Sequence, residues 1–500
     1  MTLTTSLSRR MLLGSGLAAG AALTLAPRAF AAPEAPEWTL GFTTAPAKGF
    51  GPAPMRLVSG KAPAGLEGAL YRNGPAQFRY GDSLASHWFD ADGMVHRVAI
   101  ANGKAVHTGR YVQTKKRKAE QEAKKFLASG FGTLGDPSYE VGSSDDVNAA
   151  NTSVVMSGGE MLALWEGGSA FRLDPVTLET RGPKIWRPDL AAMPFLAHPK
   201  REPGGRLWNL AVGGLASGIP KVGIYRIGAD GALEDFGIVD VGVLSYIHDW
   251  SMTTSKLIIL VQPWISTAPR PPFINSFDWR PQDGMKVLII DKDDLTKQRW
   301  VQADARAFYH TGAAWEESDG TIRLDAAFYA EPVLGQGGGA DWIRGEYGKP
   351  MAEGYLSQLV IPPPNAKAPG DAKYVSTGVG GEFPQVDPRR HGASRRLTAL
   401  VGGGAPGRPA PTALAVHDWG SSKTDAYDFG KNYMVEEHLF IPKPGKTAEQ
   451  DSWLIGTAIN LRAGHSEVWV FDAAKVSDGP VAVWQADYAW PLGFHGTWAG

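Results

Sequence analysis

Cysteine is absent from this 500-residue sequence. Without thiols the chain can form no disulfide, thiolate metal site or iron–sulfur cluster, and it has no cysteine nucleophile. Any metal ion must therefore bind to histidine, carboxylate or carbonyl groups. An excess of charge of either sign is also missing, because 50 Lys and Arg residues face 51 Asp and Glu residues. A balanced chain lacks the positive field that attracts nucleic acid, so we expect no nucleic-acid partner.

Long apolar runs are scarce except near the start of the chain. There, the twin arginine Arg9-Arg10 precedes an apolar run from Leu12 to Ala26, and Ala29-Phe30-Ala31 supplies small residues for cleavage. The run is short for a membrane span. We therefore predict that residues 1–31 are a Tat-type signal peptide rather than an uncleaved anchor, and that the mature domain 32–500 is periplasmic. No later segment approaches about 18 uninterrupted apolar residues, so a soluble mature protein is expected.

Turn-forming and aromatic residues are plentiful, with 61 Gly, 36 Pro and 17 Trp. Strand-like runs such as Leu207–Val212, Lys256–Gln262 and Ile322–Tyr329 recur almost throughout, separated by Gly, Pro and Asp turns. The pattern predicts an all-β protein, and radial closure into a β-propeller would protect its strand edges. One exception, Lys115–Ser129, predicts a short amphipathic helix. The segments expected to be long functional loops are Thr267–Asp283, Pro332–Met351 and Gly402–Thr424.

Four of the 11 histidines follow strand-like runs and stand beside small or aromatic residues: His198, His248, His310 and His495. Their wide spacing matches no local metal motif. In a closed fold, however, single residues from different blades can converge on the central axis and bind one metal ion. On composition alone, unrelated core or surface histidines are the ordinary interpretation.

Seven short blocks follow one another along nearly the whole mature chain. They are Gly68–Pro75, His87–His96, Asn151–Val155, Leu162–Gly168, Gly381–Pro384, Glu437–Pro442 and Phe494–Gly496. In this order, with the four histidines between and within them, they resemble the carotenoid cleavage oxygenase family. That family also contains stilbene-cleaving dioxygenases and the retinal-pigment-epithelium isomerohydrolase.

The resemblance implies a seven-bladed β-propeller with a cap of long loops and short helices over an axial metal site. It also implies one Fe²⁺ ion held by four histidines, three glutamates that hydrogen-bond these ligands, and a residue that narrows the open coordination site. Outer carboxylates of this kind fix the imidazole tautomer. The matching positions are His198, His248, His310 and His495 for the ligands, Glu166, Glu382 and Glu437 for the carboxylates, and Thr152 beside the open site.

The reaction implied by the resemblance is cleavage of a conjugated C=C bond by O₂ at Fe²⁺, with both halves leaving as carbonyl compounds. The expected substrate is an apolar polyene, a carotenoid or apocarotenoid. The alternative is a stilbene or related phenylpropanoid, an aromatic alkene whose 4-hydroxyl a tyrosine and a lysine would hold. Tyr111 is a candidate tyrosine, but Thr133 stands where a lysine is expected. This absence favours the apolar substrate.

Several alternatives stay open at this stage. His417 is a rival ligand because His-Asp-Trp occurs at 248–250 and again at 417–419. A hydrolase with Ca²⁺ or Zn²⁺, a binding scaffold and a non-oxidative isomerase are the other functional classes. The basic run Lys115–Lys118 is ordinarily a solvated face, and its alternative is peripheral contact with a membrane that carries apolar substrate. The histidines without a matched ligand role are His87, His96, His107, His391, His438 and His465.

Overall fold

The computed structural model describes residues 35–213, 218–334, 339, 341–347, 352–365, 370–404 and 407–500. The predicted signal peptide, residues 1–31, lies outside the described residues. Within them the regular secondary structure is predominantly antiparallel β-strand, as the strand pattern predicts. No helix in these ranges has the length and apolar character needed to cross a membrane.

Five separate sheets have four strands each, paired in chain order as antiparallel meanders. Their second and third strands are buried, as in Lys256–Val261, whereas fourth strands such as Lys423–Asp428 are largely exposed. The first strands of neighbouring sheets contact one another and so line the centre of the fold. The strands, sheet by sheet, are Ser153–Ser157, Glu160–Leu164, Phe171–Leu173 and Thr180–Pro183; Lys200–Arg201, Leu207–Val212, Lys221–Ile227 and Leu233–Asp240; Ser251–Met252, Lys256–Val261, Met285–Asp291 and Gln298–Ala303; Ala307–Glu316, Ile322–Tyr329, Tyr355–Ile361 and Lys373–Gly380; Glu382–Gln385, Leu397–Gly402, Ala413–Asp418 and Lys423–Asp428.

The sixth sheet has nine strands and joins the two ends of the described chain. Its central strand, Phe50–Gly60, pairs with Lys104–Tyr111 on one side and with Pro480–Gln485 on the other. The family resemblance implied a seven-bladed propeller, whereas the described strands form five four-stranded sheets and this larger one. The long strand causes the difference because it continues the ladder between two groups of strands. The order is Tyr433–Pro442, Ser452–Asn460, His465–Asp472, Pro480–Gln485, Phe50–Gly60, Lys104–Tyr111, Asp92–Ala101, Gly68–Gln77 and Gly496–Ala499.

The core lies between neighbouring sheets. Along Lys256–Val261, Leu257 and Ile259 pack toward the preceding sheet, while Ile258 and Leu260 pack toward the following one. Successive side chains of a strand point to opposite faces, so a strand covered on both faces is apolar at every position. Burial of each such side chain contributes roughly 1.5–3 kcal/mol. This two-sided burial explains the continuous apolar runs that mark the inner strands in the sequence.

The described residues contain one α-helix, Lys115–Ala123. The Thr114 hydroxyl accepts a hydrogen bond from the Arg117 amide at its start, and Lys124 adopts a left-handed conformation at its end, so the helix is shorter than predicted. Lys116 and Arg117 are buried, so half of the basic run does not face solvent. Two short two-stranded sheets, Arg79–Tyr80 with Ser83–Leu84 and Trp264–Ser266 with Phe277–Trp279, complete the strands. The 3₁₀-helices are Glu37–Phe42, Trp88–Asp90, Ser144–Asp146, Pro188–Leu190, Phe273–Ser276, Pro281–Asp283, Trp342–Arg344, Pro388–Arg390 and Val476–Asp478.

Candidate metal centre and substrate cavity

The four predicted histidines lie together at the centre of the fold. His310 belongs to the first strand of its sheet, His198 and His248 precede first strands, and His495 precedes the edge strand Gly496–Ala499. The closed arrangement of sheets therefore brings together residues that are far apart in sequence. His310 lies within Ala307–Glu316, and the other three stand one to three residues before a strand. The four side chains offer nitrogen atoms that all lie within 4.8 Å of one another.

The Nε2 atoms of these histidines face one another. The Nε2 atom of His248 lies 3.1 Å from those of His198 and His310, and the Nε2 atoms of His310 and His495 are also 3.1 Å apart. Two nitrogens at about 2.1 Å from one metal ion, and at right angles about it, are about 3 Å apart. The spacing therefore suits adjacent ligands of a single ion.

Three carboxylates stand behind three of the rings. Nδ1 of His310 donates to Glu382 Oε2 at 2.6 Å, and Nδ1 of His495 donates to Glu437 Oε1 at 2.9 Å. Nδ1 of His248 is in direct contact with Glu166 Oε1. A proton held on each Nδ1 leaves a lone pair on each Nε2, so these rings direct acceptor atoms at one another. The Nε2 lone pairs of these rings therefore form a donor set that fits a cation between them.

Burial and the neighbouring carboxylates act in opposite directions on the pKa values of these histidines. It lowers the pKa of His198 well below its ordinary value and that of His495 to about 4, although Glu437 acts in the opposite direction on His495. Burial also lowers the pKa of His248, but the carboxylates of Glu166, Asp249 and Glu382 together outweigh burial, and the pKa is raised. Neutral imidazole is the form that binds a metal ion.

The carboxylates are themselves held by residues for which the sequence motifs predicted no role. Glu437 accepts hydrogen bonds from Arg72 Nη1 at 2.8 Å and from Gln385 Nε2 at 2.7 Å. Burial would raise the pKa of Glu437, but His495 and then Arg72 bring it below its usual value. Tyr329 donates to Glu382 at 2.8 Å. Arg72 lies in Gly68–Pro75, the first of the seven sequence blocks. Membership of that block was the one sequence feature that could have pointed to its contact with Glu437.

No carboxylate of the described residues contacts the ring of His198, and a different network holds the strand that follows it. Lys200, two residues after His198, pairs with Asp249 Oδ1 at 2.7 Å. Asp249 Oδ2 accepts from the amide of Thr311 at 2.7 Å and from its hydroxyl at 2.9 Å. Because Asp249 follows His248 and Thr311 follows His310, this buried network connects the segments that carry three of the four histidines.

Irregular strand pairing accompanies the site. The pairing of Ala307–Glu316 shifts register on both sides of Thr311, the pairing of Glu382–Gln385 shifts within the strand, and that of Tyr433–Pro442 shifts between Val435 and His438. Phe383 has a positive φ of 57° and its ring stacks on His310 at 4.8 Å. β-Bulges re-aim side chains near functional sites, and here they turn His310, Glu382 and Glu437 toward one centre.

A cavity of about 850 Å³ opens over the histidines and is lined by His248, His310 and His495. Thr152 also lines it; its hydroxyl donates to Asn151 Oδ1 at 3.1 Å and its carbonyl accepts from the His495 amide at 3.3 Å. His198 instead lines a smaller cavity of about 320 Å³ that also reaches His310 and His495. The aromatic side chains around the larger cavity are Trp88, Phe89, Phe131, Trp165, Tyr246, Phe273, Phe277, Tyr309, Tyr329, Trp342, Tyr347, Phe494 and Phe383, of which Phe383 stacks on His310.

The residues considered for phenol binding lie elsewhere. The Tyr111 hydroxyl donates within the core, where Ala45 and Ala76 offer their carbonyls, and neither Tyr111 nor Thr133 lines the larger cavity. Lys116 does line it, but its ammonium group already contacts Asp92, Glu120 and the Asp90 carbonyl. An ammonium group has three protons, so Lys116 has none to spare.

The rival ligand His417 stays outside the cluster. It lies in the third strand of its sheet, and its Nδ1 contacts the Thr424 hydroxyl at 2.9 Å. Among the described residues, the group able to hold a metal ion contains only the four predicted histidines.

Comparison with known proteins gives a family match over most of the chain. The family model described as retinal pigment epithelial membrane protein matches residues 44–500. Resveratrol cleavage oxygenase 1 of Aspergillus fumigatus is 25% identical over 88% of this chain and 91% of its own. Apocarotenoid-15,15'-oxygenase of Synechocystis is 27% identical over 88% and 92%, and lignostilbene-alpha,beta-dioxygenase isozyme III of Sphingomonas paucimobilis is 26% identical over 88% and 93%.

Solved structures show the same fold. The crystal structure of cobalt-substituted apocarotenoid oxygenase of Synechocystis superposes with a TM-score of 0.80, at 24% identity, over 93% of this chain and 98% of that chain. The described strands therefore follow a known propeller-like architecture.

Proposed function

Because the chain belongs to the carotenoid cleavage oxygenase family, that of the retinal pigment epithelial membrane protein, we propose that it is a non-haem Fe²⁺ dioxygenase. It would cleave a conjugated C=C bond of a carotenoid or apocarotenoid with O₂ and release aldehyde or ketone products. The observation that carries this proposal is the ring of four histidines whose Nε2 atoms face one another, with carboxylates behind three of them.

The donor set favours iron over zinc or calcium. Four neutral imidazoles leave two positions of an octahedral ion open, whereas structural zinc prefers a closed tetrahedron and calcium prefers oxygen ligands. Bound Fe²⁺ would supply the redox chemistry that O₂ needs. The histidines His198, His248, His310 and His495 hold the ion in this proposal, and Glu166, Glu382 and Glu437 keep the protons of three rings on Nδ1.

The larger cavity supplies the substrate site. Its aromatic lining buries apolar surface and excludes water, and its volume of about 850 Å³ falls in the range of small-molecule pockets. Thr152 lies beside the histidines on the cavity wall and would restrict the space next to the open metal positions. The reacting double bond would thus be held over the histidine ring.

A stilbene or phenylpropanoid alkene is the second candidate substrate. Two of the relatives are named for resveratrol and lignostilbene, and the rings of Phe89 and Phe131, which pack together at 5.0 Å on the cavity wall, offer aromatic surface to such a ligand. Against it, Tyr111 and Thr133 do not line the cavity and Lys116 is fully engaged.

Cleavage assays test the proposal directly. The Fe²⁺-reconstituted protein is given β-apo-carotenals and 4-hydroxystilbenes in separate reactions with O₂, and carbonyl products are identified by mass. Aldehydes from the apocarotenals support the first substrate, and aldehydes from the stilbenes alone support the second. Oxygen-free reactions and the His310→Ala variant are the controls. No product from either substrate, with iron bound at one ion per chain, would refute the proposed activity and favour a scaffold or an isomerase.

We also propose that the nine-stranded sheet comprises two blades fused through Phe50–Gly60, which would bring the total to seven. The strand pairs with Pro480–Gln485 through residues 56–60 and with Lys104–Tyr111 through residues 50–55. The two halves of Phe50–Gly60 thus pair with strands of different blades in this proposal. Leu57 lies in the half that pairs with Pro480–Gln485. The variant Leu57→Pro should loosen that pairing, so that amide hydrogen exchange rises more in Pro480–Gln485 than in Lys104–Tyr111.

Export through the Tat pathway stays a proposal that rests on Arg9-Arg10 and the apolar run after it. Replacement of both arginines by lysine should retain the protein in the cytoplasm of a bacterial host, as measured by fractionation. Periplasmic recovery of that variant would contradict it.

A further inference from the structure

Tyr246 holds a fixed position beside the metal centre. Its main chain is anchored on both sides, because its amide donates to the Trp264 carbonyl at 2.9 Å and its carbonyl accepts from Gln262 Nε2 at 2.8 Å. Its ring packs on Trp264 at 4.7 Å and lies parallel to the ring of His248, with a 4° angle between the planes. The side chain therefore has little freedom to turn away.

The hydroxyl of Tyr246 has no hydrogen-bond partner among the described residues, although the side chain is only 3% exposed. Neighbouring tyrosines differ: Tyr309 accepts from the amides of Val333 and Leu334, and Tyr329 donates to Glu382. Buried tyrosine hydroxyls ordinarily find a partner, since an unpaired one costs free energy.

This unpaired hydroxyl still has access to open space. Tyr246 lines the larger cavity, and its oxygen is not among the sealed, unpartnered polar atoms of the described residues. A tyrosine hydroxyl with its ordinary pKa of about 10 carries its proton at neutral pH. The group stays protonated and offers one O–H donor in an otherwise mostly apolar cavity.

We propose that Tyr246 donates a hydrogen bond to an oxygen atom of the substrate, so that the enzyme selects an alkene carrying a hydroxyl or carbonyl group over a pure hydrocarbon. The inference rests on the proposed function and narrows its substrate class. A polar group placed in an apolar site discriminates strongly, because a ligand without the matching atom leaves that group unpaired. A polyene carbonyl and a phenol share this chemistry.

The test uses matched ligands that differ only in the oxygen. One pair is a β-apo-carotenal and its methyl-terminated hydrocarbon, and the other is 4-hydroxystilbene and stilbene. Wild type and Tyr246→Phe, both reconstituted with Fe²⁺, are compared by KM and by Kd from quenching of tryptophan fluorescence without O₂. One neutral hydrogen bond corresponds to about a 2- to 12-fold weaker binding when it is lost, and this loss is expected only for the oxygenated member of a pair.

The ligand pair whose oxygenated member binds more weakly to Tyr246→Phe shows whether Tyr246 recognises a polyene carbonyl or a phenol. Equal changes for both members, or no change for either pair, would overturn the role of Tyr246 while leaving the proposed reaction intact. Absence of cleavage by the wild type would instead count against the reaction, and the fluorescence measurement would still decide the role of Tyr246. Tyr225→Phe is the matched control, because Tyr225 is also buried, has no hydrogen-bond partner for its hydroxyl among the described residues, and does not line the cavity. Unchanged metal content in Tyr246→Phe separates ligand binding from damage to the metal centre.

Discussion

Two groups of buried histidines lie in this molecule and differ in almost every other respect. In the metal-centre group, His248 and His310 belong to distant segments and point Nε2 at each other, with carboxylates behind them. In the second group, His96 and His107 lie on adjacent strands and place Nδ1 of the first 3.0 Å from Nε2 of the second. No carboxylate pairs with either of these rings among the described residues.

The second pair is satisfied by ordinary core contacts. Nδ1 of His107 lies 2.9 Å from the Tyr488 hydroxyl, and Trp490 stacks on the His107 ring at 4.2 Å. Burial lowers the pKa of His96 well below its ordinary value and that of His107 to about 3. Proximity of histidines therefore does not make a metal site. A metal site needs ring nitrogens whose lone pairs converge on one point, and carboxylates that hold the proton on the opposite nitrogen of each ring.

Removal of one of the four candidate metal ligands should produce the largest difference between the two histidine groups, in metal content and in activity. In His310→Ala the ion loses one of four nitrogens, so metal content should fall from near one ion per chain to about a tenth of that or less, and cleavage should fall to background. Elemental analysis and product formation measure both. His107→Gln should keep its metal; loss of metal from His107→Gln and not from His310→Ala would reverse the assignment.

Removal of a supporting carboxylate should have the next largest effect. Glu437→Gln takes a negative charge from His495 and leaves Arg72 without its closest ion-pair partner. Metal affinity should fall about 10- to 100-fold, as measured by competition with a chelator. Glu449→Gln, which alters a carboxylate bound to backbone amides away from the cluster, is the control and should keep its affinity.

Disruption of the Lys200–Asp249–Thr311 network should weaken the fold more than the affinity for metal. Asp249→Asn removes the charge that balances Lys200 in a largely buried pair, and breaking such a pair costs about 3–5 kcal/mol. The apparent Tm of the metal-free protein should fall. An unchanged Tm would show that the three histidine segments do not depend on this network. Lys297→Met, which removes an exposed pair, is the comparison.

The smallest expected effect is a loss of folding stability in acid, caused by the buried His107 of the His96–His107 pair. Because the folded pKa of His107 is about 3 and the unfolded value is about 6.5, the unfolded chain binds a proton that the folded chain does not over that range. Stability is therefore complete above pH 6.5 and falls as the pH drops, by up to about 1.4 kcal/mol per pH unit for one histidine. The apparent Tm of His107→Gln should fall less steeply between pH 6 and pH 4 than that of the wild type. Equal slopes would contradict a neutral buried His107.

Some features of the site were accessible from local sequence patterns and family resemblance. Continuous apolar runs predicted inner strands because both faces of those strands are covered, and the absence of cysteine limited metal ligands to nitrogen and oxygen. The blocks around His310, Glu382 and Glu437 identified residues that the fold then brings together. The helix at Lys115 was predicted too long because the left-handed turn at Lys124 has no strong sequence signal.

By itself, the sequence determined the β-class of the chain and the residue types that could hold a metal ion, since strand period and side-chain chemistry are local properties. Only the tertiary structure decided the fused nine-stranded sheet, the bulges that aim the histidines and carboxylates, and the pairing of Lys200 with Asp249. The tertiary structure also decided that the Tyr246 hydroxyl finds no hydrogen-bond partner among the described residues of the cavity wall. These depend on contacts between segments tens to hundreds of residues apart, and no local pattern of side chains encodes which distant group will lie opposite.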